Sequence, residues 1–466
     1  MKDYDIVVLG AGPGGYVSAI RAAQLGAKVA IVEKEHIGGT CLNVGCIPTK
    51  ALIKNVEILH SIDIGKKRGI KIEGEIKLDY GKAVKTKDKA VKSLKEGIAG
   101  LLASNKVDFY QGKGICEDNQ IISVISEQDE EEKLKYKKLI IATGSVPFTP
   151  PIAGMDLDGV MTSDGLLKVN TVPNKLVIIG GGVIGCEFAS IFKAYGSQVT
   201  IIEMQPTLVS VLDKDISTFM EDMLIGNEID VKLGSRVTEI DKAEAGLLKV
   251  SVVNSDNQNE TVEADVVLVS IGRKSNMLGL DKLNLKVENG HIAVNNKLET
   301  NVSNVYAIGD VATKKQLAHV ASEMGFIAAE NAMGADHTID LNIVPSCIYT
   351  IPEIASVGMT EEEAKLKGYN PVAGEFSLMG CGKAVATGES DGFFKVVVDK
   401  ESRKLLGAHL VGKSSTEVIA EVVAFLKMNA TADDIISTIH AHPTISEAFA
   451  EAVRDVDKNA IHKIKM

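Results

Sequence analysis

Two cysteines that could form a redox pair stand near the amino terminus, in the segment IGGTCLNVGCIPTKAL (residues 37–52). Cys41 and Cys46 are five positions apart, and helix-compatible sequence follows them. Five residues of regular helix advance about 7.5 Å, whereas disulfides prefer a Cα separation of about 4.4–6.8 Å. A bridge therefore requires a distorted turn, which Gly45 and Pro48 could provide. Because a helix amino terminus favours the thiolate, thiols placed here would be reactive.

The cysteine spacing alone leaves other interpretations open. The pair could be two structural cysteines or half of a metal site. Zinc knuckles usually use CxxC and a second pair, which this sequence lacks, so we expect no metal. The four other cysteines, at positions 116, 186, 347 and 381, are interpreted as buried small side chains in a reducing compartment.

A possible acid–base residue lies near the carboxyl terminus, in STIHAHPTISEA (residues 437–448). Glu447 follows His442 by five positions, at the start of an apolar helix, and could reach back to the imidazole. A carboxylate bonded to one ring nitrogen fixes the tautomer and raises basicity, so His442 is a candidate acid–base partner for a thiol. A lone histidine is more often structural, and the sequence does not exclude His440.

Two glycine-rich repeats predict the elements that would position these residues. DIVVLGAGPGG (residues 5–15) and KLVIIGGGVIG (residues 175–185) are each followed by a helical stretch and a second strand ending in an acid. The first glycine allows a sharp turn, the second lets a pyrophosphate lie against backbone, and the third lets the helix pack closely. Since each acid lies 18 residues past the third glycine, we predict two dinucleotide sites. Their residues are Gly10, Gly12, Gly15 and Glu33, and Gly180, Gly182, Gly185 and Glu203.

The second acid also indicates which nicotinamide cofactor binds. Glu203 is followed by Met204, Gln205 and Pro206, so no basic side chain is at hand for a 2′-phosphate. A carboxylate would repel that phosphate and accept a hydrogen bond from a free 2′-hydroxyl. We therefore expect NAD rather than NADP.

Further strands and the overall composition complete the plan of the chain. Three short strands ending in glycine turns are predicted from LIIATGS (139–145), VVLVSIGR (266–273) and VYAIGDV (305–311). From about Asn342 a third, α+β domain begins, with adjacent antiparallel strands at 395–399 and 404–411 and helices from Ser415 to Asn429.

The net charge of the chain is −11, so we expect no binding of nucleic acid. The first residues run directly into a strand and no apolar stretch is long enough for a membrane helix, so we expect a cytoplasmic protein without a membrane.

These segments together resemble the flavoprotein disulfide reductases, and among them the sequence is most similar to the dihydrolipoyl dehydrogenases. The similarity runs nearly end to end, through GAGPGG, GGTCLNVGCIPTK, ATGS, GGGVIGCEFA, SIGR, YAIGDV, YTIPEIASVG and HAHPTISEAF. It implies an α/β fold with two Rossmann-like domains and a C-terminal α+β interface domain. The implied limits are 1–147 with 273–342 for a discontinuous FAD-binding domain, 148–272 for an NAD-binding domain and 343–466 for dimerisation.

The resemblance also implies a reaction, in which a dihydrolipoyl group is oxidised and NAD⁺ is reduced. Cys41 would exchange with the lipoyl sulfurs, Cys46 would lie against the flavin, and His442, oriented by Glu447, would be the base. A homodimer would share its active sites, and the lipoyl group would come from a protein of a 2-oxoacid dehydrogenase or glycine cleavage complex. The implied FAD residues are Gly10, Gly12, Gly15, Glu33, Gly39, Thr40, Lys50, Gly114, Thr143, Gly144, Ser145, Asp310, Leu317, Ala318 and His319. The implied NAD residues are Gly180, Gly182, Gly185, Glu187, Glu203, Val237 and Gly272.

Two alternatives to this reaction remain open. One is a disulfide reductase that uses NADH to reduce another small disulfide, and the other is a structural subunit that binds nucleotides without chemistry. Cys381 in MGCGK (379–383) is unexpected for the family, whose members are often less glycine-rich in this region.

Overall fold

The computed structural model describes residues 1–464, so the last two residues of the predicted dimerisation domain lie outside the described residues. The first 147 residues begin with the strand, helix and strand of the first glycine-rich repeat. Their elements are β1 (Lys2–Leu9), α1 (Pro13–Gln24), β2 (Val29–Glu33), α2 (Gly39–Val44), α3 (Cys46–Lys67), α4 (Tyr80–Ser104), β3 (Asp108–Gln111), β4 (Lys113–Cys116), β5 (Ile121–Ile125), β6 (Glu131–Ile141) and β7 (Ser145–Pro147).

The second glycine-rich repeat occupies the middle of the chain. Its elements are β8 (Val160–Thr162), α5 (Ser163–Leu166), β9 (Lys175–Ile179), α6 (Val183–Ala194), β10 (Gln198–Ile202), α7 (Lys214–Gly226), β11 (Asp230–Lys232), β12 (Arg236–Lys242), β13 (Leu248–Val253), β14 (Asn259–Ala264) and β15 (Val266–Val269). The chain then returns to the first repeat with β16 (Arg273–Ser275), β17 (Val287–Glu288), β18 (His291–Ile292), β19 (Val305–Ala307) and α8 (Ala318–Ala332).

The remaining residues form an antiparallel sheet with helices. Its elements are β20 (Ser346–Ile348), β21 (Ile354–Gly358), α9 (Glu361–Leu366), β22 (Pro371–Ser377), α10 (Gly382–Thr387), β23 (Phe393–Asp399), β24 (Leu405–Val411), α11 (Ser415–Lys427), α12 (Ala432–Ser437) and α13 (Ser446–Asp455). The sheet order is β20-β21-β24-β23-β22. The predicted antiparallel pairing of the two strands at 395–399 and 404–411 is confirmed, since β23 pairs β24.

Both glycine-rich repeats build parallel sheets. In the first, β3-β2-β1-β6 run parallel, β19 pairs the end of β6, and β5 and β4 extend the sheet antiparallel. In the second, β11-β10-β9-β15-β8 are all parallel. Every residue of β2 is buried, as expected for a strand whose two faces are both covered by other elements. The first sheet thus contains strands that precede the second repeat in the sequence and one strand, β19, that follows it. The antiparallel pair of β7 and β16 joins these two parts of the chain.

One strand is longer than predicted. LIIATGS indicated a short strand from Leu139, whereas β6 already starts at Glu131. The first half of β6 alternates buried Leu134 and Tyr136 with more exposed charged residues, so it lacks the continuous apolar run that identified its end. Over residues 1–464, no helix combines the length and apolarity that crossing a bilayer requires.

Candidate functional site

The two cysteines lie on either side of a break between two helices. Cys41 is in α2, and Cys46 is the first residue of α3. Between them, Gly45 has φ −143° and ψ −116°, which is not helical. A Cβ on Gly45 would lie 3.0 Å from the Thr40 carbonyl oxygen and 3.2 Å from the Cys41 Cα. The distorted turn that a disulfide would need is therefore present, and a side chain at its centre would be crowded.

The two thiols influence each other's protonation. Both are free thiols, Cys46 exposed and Cys41 partly buried. A hydrogen bond from the Cys41 thiol lowers the pKa of Cys46 to about 7; burial opposes this shift and the nearby Lys50 ammonium supports it. The same hydrogen bond, together with burial, raises the pKa of Cys41. Cys46, at the amino end of a long helix, is thus the sulfur that becomes a thiolate near neutral pH.

Lys50 connects the cysteine helix to the second repeat. Its Nζ donates to both carboxylate oxygens of Glu187, at 2.9 and 2.8 Å, and Glu187 is only 4% exposed. Glu187 also accepts the backbone N–H of Tyr349 at 3.0 Å, and the Lys50 Nζ lies 4.5 Å from the centroid of the Tyr349 ring. Sequence reasoning gave Tyr349 no role, although its YTIP segment was one of those on which the resemblance depended.

The first glycine turn has the backbone that its three glycines predict. Gly10 has φ +103°, and a Cβ there would lie 2.3 Å from the Ala142 carbonyl oxygen. A Cβ on Gly15 would lie 1.9 Å from the Gly10 carbonyl oxygen. The nearest atom to a Cβ on Gly12 would be the Gly39 Cα, at 3.9 Å. The first and third glycines are thus required by packing, while the second borders open space. Because Gly12 and Gly39 face each other, this turn adjoins the cysteine segment.

The second glycine turn repeats this arrangement. Gly180 has φ +110°, and its Cβ would lie 2.6 Å from the Ser270 carbonyl oxygen. A Cβ on Gly185 would lie 2.1 Å from the Gly180 carbonyl oxygen, whereas one on Gly182 would meet no atom within 4 Å. This open backbone at the start of a helix is the shape into which a pyrophosphate fits.

The acids at the ends of β2 and β10 are held in the same way. Glu33 accepts the N–H of Ala11 at 2.8 Å through Oε2 and that of Glu35 at 2.7 Å through Oε1. Glu203 accepts the N–H of Gly181 at 2.6 Å through Oε2, and its Oε1 accepts the N–H of Gln205 at 2.7 Å. Each carboxylate is therefore fixed beside its glycine turn, and both sites fit a dinucleotide ribose.

The open space at Gly182 leads to a first prediction. We expect Gly182→Ala to fold with nearly unchanged melting temperature and to weaken NADH binding about tenfold, because a methyl group would occupy the phosphate position. Gly185→Ala, in contrast, should lower the stability of the protein by about 1–3 kcal/mol. Calorimetry and NADH titration check both, with Gly226→Ala as a control, since a Cβ there also meets nothing within 4 Å. Unchanged NADH binding in Gly182→Ala would argue against a phosphate at this turn.

The charge of Glu203 leads to a second prediction. Glu203→Gln keeps one oxygen that can accept a backbone N–H group, loses the acceptor for the other N–H, and removes the repulsion of a 2′-phosphate. We expect kcat/KM to fall about threefold with NAD⁺ and to rise about tenfold with NADP⁺. Steady-state kinetics with both cofactors measures the change. If the NAD⁺/NADP⁺ ratio were unaltered, Glu203 would not be the residue that discriminates between them.

A second network joins the strand ends around the first sheet. Ser145 Oγ donates to Asp310 Oδ2 at 2.6 Å, and Arg273 Nε donates to Ser145 Oγ at 2.7 Å. Nearby, Thr143 Oγ1 donates to the Asn276 carbonyl oxygen at 2.6 Å. The ATGS, SIGR and YAIGDV segments are thus brought together. Arg273 was not singled out from the sequence, although it ends the SIGR motif.

Other predicted residues lie around the same two turns. A small cavity beside the first turn is lined by Gly10, Glu33, Gly114 and Thr143 among others. Leu317, Ala318 and His319 form the start of α8, which packs against α1. Of the remaining predicted positions, Thr40 lies in α2. Gly144 and Gly272 both have positive φ, and a Cβ on either would meet no atom within 4 Å. The side chain of Val237 is buried in the core beside β9 and β10.

The structure distinguishes the two histidines. The His442 Nδ1 is hydrogen-bonded to Glu447 Oε1 at 2.9 Å, and the side chain is 76% exposed. His440 is 8% exposed, and both ring nitrogens have partners, Glu421 Oε1 at 2.7 Å and the Thr438 carbonyl oxygen at 3.1 Å. Only His442 therefore presents a nitrogen for acid–base chemistry.

Glu447 is held as a carboxylate. Partial burial opposes ionisation, but the Thr444 N–H, at 2.8 Å, and His442 hold the pKa of Glu447 below its usual range. A charged carboxylate on Nδ1 orients the ring so that Nε2 faces outward.

Within one chain, the histidine and the cysteines are not brought together. Among residues 1–464, no hydrogen bond joins His442 or Glu447 to the cysteine segment. His442 lies beside Gly382 at the start of α10, and the end of α10 contacts the carboxyl end of α3 at Ile64 and Arg68. Cys46 is at the opposite end of α3, about 27 Å along the helix from Ile64.

Comparison with known proteins agrees with these features. Residues 4–325 match the model of the pyridine nucleotide-disulphide oxidoreductases, and residues 344–453 match the dimerisation domain of the same proteins. The chain belongs to the pyridine nucleotide-disulphide oxidoreductase family. Its carboxyl-terminal domain is a dimerisation domain, which supports a homodimer.

Individual relatives and a solved structure are similar to this chain over nearly its full length. The chain is 41% identical to a dihydrolipoyl dehydrogenase of Bacillus subtilis, covering 99% of each sequence. It is 40% identical to a dihydrolipoyl dehydrogenase of Trypanosoma brucei brucei, covering 96% of this chain and 95% of the relative. A HOCl-induced flavoprotein disulfide reductase of Escherichia coli, RclA, solved as a Cu(II) complex, superposes with a TM-score of 0.87 at 27% identity, covering 97% of this chain and 99% of the other.

Proposed function

We propose that the protein is an NAD-dependent flavoprotein that oxidises dihydrolipoyl groups to the lipoyl disulfide, the reaction for which its full-length relatives are named. The observation that supports this most strongly is the cysteine pair at the helix break, where Cys46 is poised to ionise and Cys41 stays protonated. A pair so placed next to a dinucleotide turn can alternate between dithiol and disulfide.

The proposed reaction begins with the oxidised cysteine pair. His442 Nε2 takes the proton from one dihydrolipoyl thiol, and the resulting thiolate attacks the Cys41 sulfur. The Cys41–Cys46 bond breaks, and Cys46 leaves as a thiolate, which its lowered pKa favours. The second lipoyl thiol then displaces Cys41 and its proton passes to the Cys41 sulfur, whose pKa is raised. The lipoyl disulfide forms, two electrons remain in the reduced pair, and His442 keeps the first proton.

The two glycine turns fit FAD and NAD, respectively. FAD, when bound, supplies the chemistry that accepts the electron pair from the dithiol and delivers it as a hydride to NAD⁺. Of the residues of this chain, Gly12, Glu33 and Asp310 would hold the flavin nucleotide, and Gly182 and Glu203 would hold NAD. Lys50, fixed by Glu187, would place a positive charge where the reduced cofactor carries negative charge.

The partners follow from the same assignment. We propose that the histidine segment of one subunit completes the cysteine site of the other, because the single chain places His442 away from Cys46. The lipoyl group would be carried by another protein, of a 2-oxoacid dehydrogenase or glycine cleavage complex. We place the reaction in the cytoplasm, where the isolated free thiols of this chain would stay reduced.

Turnover of the purified holoenzyme tests this proposal. We expect rapid NAD⁺ reduction with dihydrolipoamide and little activity with NADP⁺. The second candidate, NADH-driven reduction of another small disulfide, would instead show higher kcat/KM with a different disulfide than with lipoamide. Absence of dihydrolipoamide oxidation in a flavin-loaded protein with both cysteines intact would contradict the proposal.

A further inference from the structure

A buried lysine joins the carboxyl-terminal sheet to the second repeat. Lys395, on β23, is 7% exposed. Its Nζ lies 3.1 Å from each carboxylate oxygen of Asp213, 2.6 Å from Asp215 Oδ2 and 3.3 Å from Glu361 Oε2. Burial opposes its charge, but the aspartates dominate and raise the pKa of Lys395. None of the sites described above uses this ammonium group.

Of the three acids around Lys395, Asp213 is the one that binds the ammonium group through both carboxylate oxygens. Its side chain is 4% exposed, and its Oδ1 also accepts the N–H of Asp215, so it caps the amino end of α7. A buried carboxylate needs a cation to offset its desolvation. Lys395, which comes from a different sheet, therefore holds the residue that caps α7.

The residues just before Asp213 border the second glycine turn. The Val209 N–H donates to the Gly181 carbonyl oxygen at 2.9 Å, and Leu208 would contact a Cβ on Gly181 at 2.4 Å. Val209 has φ +40°, a left-handed conformation that is strained for a β-branched residue. Such strain persists only where surrounding contacts impose it. One end of this segment is fixed by Glu203, through Gln205, and the other by Asp213.

We propose that Lys395 is a positioning residue for the nicotinamide-dinucleotide site, acting through Asp213 on the segment 204–213 that closes against the second glycine turn. The inference rests on the proposed assignment of that turn to NAD. Without the lysine, the side chain at position 213 would lose the ammonium group that ties it to β23, and the strained Val209 would relax. The Gly181 carbonyl would then lose its partner, and the backbone beside the pyrophosphate would change.

Lys395→Met tests this role in the holoenzyme. NADH binding, measured by fluorescence quenching with the holoenzyme reduced beforehand so that no hydride is transferred, is expected to weaken at least about fivefold, with a matching rise in KM for NAD⁺. The KM for dihydrolipoamide and kcat at saturating NAD⁺ should stay within about twofold.

A second buried lysine provides the matched control. Lys87, on α4, is 7% exposed and donates to the Leu167 carbonyl oxygen at 2.7 Å. It also joins two parts of the chain, and neither its hydrogen bond to Leu167 nor its ion pair with Asp88 involves the segment 204–213. Lys87→Met should lower the melting temperature while NADH binding stays as in the wild type. If the two variants lose stability alike and neither changes NADH binding, Lys395 is only structural and the proposal is wrong.

A double variant keeps the test decisive if Lys395→Met does not fold. In K395M/D213N the buried charge is absent and Asn can still cap α7. We expect this variant to fold and to bind NADH as weakly as Lys395→Met. Wild-type NADH binding in the double variant would overturn the proposal. Because NADH binding is measured directly, this result stays separate from whether dihydrolipoamide is the substrate.

Discussion

Cys41→Ser and Cys46→Ser are each expected to reduce NAD⁺-dependent oxidation of dihydrolipoamide by about a thousandfold or more, because neither variant can form the disulfide that accepts the electrons. Steady-state assays measure the loss. NADH oxidation by ferricyanide, which requires the dinucleotide sites but no thiol, should remain. Cys116→Ala, at a buried free thiol elsewhere in the chain, is the control and should stay near wild-type activity.

The two cysteine variants should differ in their spectra. We expect dithiol-reduced wild-type protein to show a long-wavelength absorbance band from the Cys46 thiolate against the flavin. The band should rise with pH around 7, because the pKa of Cys46 is lowered to about 7 and only the ionised form contributes. Cys46→Ser should lack the band and Cys41→Ser should retain it. The reverse pattern would exchange the roles that we assign to the two sulfurs.

His442→Gln is expected to reduce kcat with dihydrolipoamide by about 10²–10⁴-fold, the usual contribution of a positioned acid–base group. Glu447→Gln should cost less, because the imidazole remains while its orientation and basicity change. Both variants should still oxidise NADH with ferricyanide. The pH profile of kcat, together with kcat itself, measures the effect.

His440→Gln is the matched control for this prediction. His440 is two positions from His442 but has both ring nitrogens occupied, so its replacement should disturb the loop without removing the base. We expect a smaller loss than for His442→Gln and an unchanged pH profile. A larger loss in His440→Gln would transfer the acid–base role to that residue.

Much of the fold could be predicted because its signals are local. The glycine turns, with their strands, helices and terminal acids, follow from backbone requirements that only glycine meets, as Gly15 and Gly185 show. The pairing of β23 with β24 was evident from two adjacent apolar strands. The first half of β6 was missed because a half-exposed strand alternates and lacks a continuous apolar run.

The parts of the site that were not predicted depend on contacts between distant segments. Tyr349 reaches Glu187 over 162 positions, and Lys395 reaches Asp213 over 182. Lys395 has no local pattern that distinguishes it from an ordinary strand residue, and the motif that contains Tyr349 does not indicate its partner. The domain limits and the roles of the site residues stay predictions.

Disulfide mapping during anaerobic titration with dihydrolipoamide tests the central claim most directly. The oxidised holoenzyme should yield one peptide pair linked through Cys41 and Cys46, and one equivalent of dithiol per subunit should convert both to free thiols. Addition of NAD⁺ should restore the link and release NADH. An enzyme whose two cysteines stay unlinked, or whose link survives both dithiol and NAD⁺ during turnover, would contradict the account.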